Sequence, residues 1–269
     1  ILIALGVLAV LVIGWIAVKD SLYGSWLGQS GVSPDLPDYS LEQAWLKRPA
    51  EQPPGGWETP WGVDLLVISP PVTTPAPKGL LEAGAETQVI DFERFAEQIG
   101  LEGTDLAVYA PGYRSPSPAL SKSRWRSSLT TSADDVRAAV SRYLSSNNRE
   151  RAVIILAGPD TGPLLEAALE ALPDDEAFRR RFGGVVLAED MTGGGWDAKV
   201  GNCSEGVESC VVPSSLSTSK PARRLFLPSL SRSRLVFSAE DDFVPMLQDR
   251  AASLSTWLDS NAPKPAEPF

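Results

Sequence analysis

The chain has 269 residues, 43% of them apolar and 22% charged, enough for one large or two small globular domains with a real core. With 24 basic against 34 acidic residues the net charge is -10, which makes DNA or RNA a poor partner. These residues include no histidine and only two cysteines, which excludes Ser-His-Asp and Cys-His catalysis, histidine-ligated zinc or haem, and a cysteine-held cluster, so no metal or cofactor is expected.

Residues 1–18 read ILIALGVLAVLVIGWIAV and carry no charge. As a helix they span about 27 Å, close to a hydrocarbon core. A secretory signal peptide is the rival reading. It would end in small residues at an A-x-A-like cleavage site, and none stands between Trp15 and Trp26. A single transmembrane helix is therefore expected over 1–18. Lys19 is offset by Asp20, and no further basic residue follows until Lys47. That weakly basic flank fits a C-terminal domain outside the cytoplasm.

Residues 19–39 form a Gly- and Pro-bearing linker, 40–260 the folded domain, and 261–269 a Pro-rich tail. Strands are expected at VDLLVIS (63–69), DLAVYA (105–110), AVIILAG (152–158), GVVLAE (184–189) and SRLVFSA (233–239). Helices are expected at 80–99, with a break at Gly84, then at 132–146, 163–172 and 243–258. Ser132 reads as the N-cap of the second, with Asp134 and Asp135 in its first turn. Continuous apolar strands alternating with helices predict a doubly wound, mostly parallel α/β sheet. Its reactive groups would lie beyond the carboxyl ends of the strands.

One such end carries Gly158-Pro159-Asp160-Thr161-Gly162 before a helix. This is the spacing of a nucleophile elbow, G-x-S-x-G, with aspartate where serine would stand. An aspartate nucleophile is chemically possible, but hydrolysing its ester needs a base to activate water, usually a histidine. The plainer reading is a tight turn in which Asp160 caps the helix.

From Ala44 to Cys210 the chain resembles a bacterial family of unknown function within the α/β-hydrolase superfamily. The pieces are AWLKRP (44–49), VDLLVISPPVTT (63–74), VYAPGYR (108–114), RYLSSNNRE before AVIILAGPDTGPLL (142–165), and CVVPS (210–214). The resemblance implies a serine esterase with a Gly-His-Ser-Gln-Gly elbow and a histidine before the last helix. This chain departs at both places. Asp160 or Pro159 takes the serine position, and the histidine would fall at Ser238–Glu240. The oxyanion donors would be the Thr161 N–H and one from Ser69-Pro70-Pro71, where prolines have none. A site without its triad keeps about 10³-fold catalysis over water even with an intact hole. The resemblance thus implies the fold and not the reaction.

Other groupings carry less. Glu189, Asp190, Glu240, Asp241 and Asp242 read as an acidic rim before a cation site, and Thr192–Lys199 as a loop before a phosphate cradle. Cys203 and Cys210, with six residues between them, read as a disulfide in an oxidising compartment. Ser121–Ser128 is a basic stretch around Trp125, read as an exposed loop or as a surface for anionic headgroups or an acidic partner. Trp26, Trp57 and Trp61 are candidates for partner contact, with core packing equally open for the last two.

The expected protein is a single-pass protein of a bacterial inner membrane with a periplasmic, non-catalytic α/β-hydrolase-like domain. It would serve as an accessory or assembly subunit of a larger integral membrane complex, held to lipid by its N-terminal helix. The alternatives are a hydrolase with Asp160 as nucleophile and Glu189, Asp190 or Asp241 activating water, or a binder of a small ligand.

Overall fold

The computed structural model describes residues 12, 14–15, 33–49, 62–187, 211–213, 217–219, 236–238 and 243–261. Strands β1 (Trp45–Lys47), β2 (Val63–Ile68), β3 (Ala107–Pro111), β4 (Ala152–Ala157), β5 (Phe182–Leu187) and β6 (Val211–Pro213) form one sheet. Its order is β1-β3-β2-β4-β5-β6. Only β1 runs antiparallel to its neighbour; the other five strands are parallel. The chain steps from β2 outward to β3, then crosses back over β2 to β4 and continues the other way. The direction reverses between β2 and β4, and a crevice at the carboxyl ends of these two strands is where such sheets bind ligands.

The helices are α1 (Glu86–Gln98), α2 (Lys122–Ser146), α3 (Gly162–Glu170), α4 (Glu176–Arg181) and α5 (Phe243–Asn261). Strands β2, β3 and β4 are buried along their whole length, so their apolar runs need no polar alternation. The pleat sorts their side chains. Leu66, Ile68, Tyr109, Val153, Ile155 and Ala157 pack with Val136, Val140 and Tyr143 of α2 and Leu164, Leu165 and Ala168 of α3. Leu65, Val67, Val108, Ile154 and Leu156 pack on the other face with Phe92 and Phe95 of α1 and Leu247, Leu254 and Leu258 of α5. The α/β class expected from the strand–helix alternation holds.

Several boundaries differ from expectation. The first helix begins at Glu86, because Gly84 sits at φ 74, where a side chain is disfavoured, and Gln88 Oε1 accepts its N–H at 3.0 Å. The second begins at Lys122, so SKSRWRSS is helical from its second residue and not a loop. Ser132 is buried mid-helix and is no N-cap; its hydroxyl donates to Arg114 O at 2.7 Å. Within the stretch expected as linker, Tyr39 is buried and donates to Gly112 O at 2.8 Å. Strand β8 (Val236–Ser238) pairs antiparallel with β7 (Ser217–Ser219) in a separate two-stranded sheet, instead of joining the main one. Short α4 was not expected; Asp175 caps it, accepting Phe178 N–H at 2.7 Å.

The expected membrane helix falls outside the described residues except at Val12, Gly14 and Trp15, which are helical. No helix of the described residues is long and apolar enough to cross a membrane.

Candidate functional site

The turn between β4 and α3 closes against the loop after β2. The Gly158 N–H donates to Ile68 O at 2.9 Å. A Cβ on Gly158 would stand 2.8 Å from the Pro70 ring, so the two strand ends meet too closely for any larger residue. Pro159 is buried, and Asp160 turns out to solvent at φ 57. Aspartate is one of the few residues that tolerates this left-handed conformation. Thr161 is fully buried and its hydroxyl donates back to Gly158 O, while α3 starts at Gly162 with Pro163 in its first turn. Gly158, Pro159, Asp160, Thr161 and Gly162 thus form a tight strand-to-helix turn with one exposed side chain at its apex. Asp160 precedes the helix cap, which is Thr161.

From Pro70 to Thr74 the loop after β2 has its backbone donors spoken for. Pro70 and Pro71 have no N–H. Val72 N–H donates to Ser115 Oγ at 3.0 Å. Thr73 and Thr74 N–H both donate to Asp91 Oδ2, at 2.6 and 2.8 Å, and the Thr74 hydroxyl donates to Asp91 Oδ1 at 2.6 Å. From residue 70 to 74 every N–H is missing or already engaged, so none is left for an oxyanion. Ser69 is buried; its carbonyl accepts from Tyr113 at 2.9 Å, and its hydroxyl bonds no described residue. Burial pushes the Tyr113 hydroxyl above the ordinary tyrosine range, so it stays a donor there.

Beside this crown Arg114, at the end of β3, grips Asp135 of α2. Its backbone N–H and Nε reach Asp135 Oδ2, both at 2.9 Å, and Nη2 reaches Oδ1 at 2.8 Å. Its Nη1 donates to Pro34 O at 3.4 Å.

A second polar cluster lies at the opposite, amino end of the sheet. Asp64 is fully buried; Arg151 Nε donates to its Oδ1 at 2.6 Å, and Tyr143 and Asn148 donate to Oδ2 at 2.7 and 3.2 Å. Arg181 Nη1 closes the cluster on Asn148 Oδ1 at 2.8 Å. Burial raises the Asp64 carboxyl above its ordinary range, against the pull of Arg151, Tyr143 and Asn148. Ligands of parallel sheets bind at the carboxyl ends; this cluster lies at the other end, where it ties β2 to α2 and to the start of β4.

Sequence reasoning named neither cluster. Asp64, a charge inside VDLLVIS, was the visible signal for one of them. Of the partner-contact candidates, Trp125 lies in the first turn of α2, half-buried against the core. Trp26, Trp57, Trp61, Cys203, Cys210, Glu189, Asp190, Glu240, Asp241, Asp242 and 192–199 lie outside the described residues. Among the described residues no group of three or more His, Cys, Asp or Glu is placed to hold a metal ion. No protein-family model, curated protein or solved structure matches the chain.

Proposed function

We propose that the chain is a membrane-anchored α/β-hydrolase-like domain that has kept the architecture and lost the chemistry. It acts by binding, as an accessory or assembly subunit of an integral membrane complex on the periplasmic side of a bacterial inner membrane. The observation that carries this reading is the crown of the sheet. An elbow-like turn stands at the carboxyl end of β4 with Asp160 at its apex, and the adjoining loop has no N–H to spare from residue 70 to 74. The absence of histidine from the 269 residues leaves Asp160 without the usual base. The uncharged run over 1–18 supports the anchor, and a tethered domain meets a membrane partner at high effective concentration.

The second reading, an aspartate nucleophile, draws on the exposure and positive φ of that same Asp160. Turnover of p-nitrophenyl acetate by the purified full chain separates the two. Asn tolerates the left-handed conformation as Asp does, so Asp160→Asn changes the chemistry and spares the turn. The expected result is no turnover above buffer for either protein. Turnover that Asp160→Asn abolishes would replace the binding role with the hydrolase.

A further inference from the structure

We infer that the first two turns of α2 form a cationic foot that rests on anionic lipid headgroups. Ser132 and Asp135 mark where α2 passes the end of β3, through their bonds to Arg114. Lys122 lies ten residues earlier, so at 1.5 Å per residue the helix runs about 15 Å past that level. This projecting part carries Lys122, Arg124 and Arg126, all exposed, and their side chains make no ion pair or hydrogen bond with a described residue. From Ser115 to Ala133 the chain has no acidic residue. The first turn of α2 therefore lacks the carboxylate that a helix's positive end attracts, and that end adds to the three side-chain charges. Trp125 packs against the core beneath them and fixes the foot to the body of the domain.

The rest of the chain selects the partner. At a net charge of -10 the chain as a whole is repelled by an anionic surface, and a local cationic projection is the part such a surface draws in. The described N-terminal stretch reaches the domain on the same side, where Pro34 meets Arg114 at the carboxyl end of β3. An anchor upstream of that contact brings this end toward the bilayer; to that extent the inference rests on the anchored reading.

The test uses the full chain in nanodiscs of phosphatidylcholine, with and without phosphatidylglycerol. Acetylation of Lys122 by a water-soluble reagent is followed by mass spectrometry. Phosphatidylglycerol is expected to slow the labelling about five-fold or more, since each basic residue at an anionic surface strengthens attachment by about that factor. High salt should abolish the protection. Arg124→Gln with Arg126→Gln keeps the Lys122 reporter and should restore fast labelling, and both side chains are exposed, so the fold tolerates the change. Equal labelling with and without phosphatidylglycerol would overturn the inference and leave the patch to an acidic protein segment. Failure of the anchor reads differently: the chain stays out of pure phosphatidylcholine discs. Labelling beside an excess of phosphatidylglycerol vesicles then decides the foot alone, slowed labelling upholding it and unchanged labelling overturning it.

Discussion

Asp64→Ala is expected to lower the unfolding free energy by about 3–5 kcal/mol, the usual effect of breaking a buried ion pair from one side. The change removes the carboxylate paired with Arg151 Nε, a side chain only 4% exposed, together with the acceptor that Tyr143 and Asn148 share. Domains of this kind are stable by about 5–15 kcal/mol in total, so the loss is a large part of the whole. Urea unfolding of the full chain in mild detergent measures it. Asp64→Leu combined with Arg151→Met removes both charges and is expected to recover part of the loss, the part due to burying one charge without its opposite, while Tyr143 and Asn148 still lack their acceptor. A single variant as stable as the parent would show that the cluster does not hold the amino end of the sheet.

Arg114→Ala is expected to cost about 3 kcal/mol for the same physical reason. The side chains of Arg114 and Asp135 are 12% and 2% exposed, which sets them apart from surface pairs such as Arg179–Asp174 at 62% and 98%. Three of the donors to Asp135 come from Arg114 alone, two of them as a planar fork. Arg114→Lys offers one point charge where the fork offers two bonds, so it should rescue little. The variant also loses the bond to Pro34. Limited proteolysis near residues 33–38 should therefore speed up together with the fall in urea midpoint. Unfolding without faster cutting would mean that Tyr39, donating to Gly112, holds this segment by itself.

The central strands were legible because burial on both faces leaves runs such as VIILA with no polar alternation to misread. The elbow-like turn was legible because two glycines and a proline at that spacing punctuate any chain. The start of α2 was not. SKSRWRSS has no apolar period of its own, and Ser132 before two aspartates imitates a helix cap. What carries the extra turns is tertiary: Trp125 and Leu129, one helical turn apart, both pack on the core. Strand β1 is three residues long and pairs with β3 through an irregular register, so it left no periodic signal. The Asp64 cluster escaped because its donors lie 79, 84 and 87 residues along the chain, a separation no local pattern reports. The occupied donors after β2 escaped for the same reason, since Asp91 and Ser115 reach back from later elements.

The claim that the crown of the sheet holds no working nucleophile is tested most directly by isotope transfer. A nucleophilic Asp160 would displace p-nitrophenolate to form a mixed acetyl anhydride, and water attacking the aspartyl carbonyl of that anhydride would expel acetate and leave a water oxygen in the carboxylate. The full chain is incubated with a large excess of p-nitrophenyl acetate in heavy-oxygen water, so that repeated turnover samples both carbonyls of the anhydride, then digested, and the peptide containing Asp160 weighed. The expected result is an unshifted peptide mass, the same as that of a sample without the ester. An ester-dependent mass increase on that peptide, absent from Asp160→Asn, would contradict the account and make Asp160 a catalytic residue.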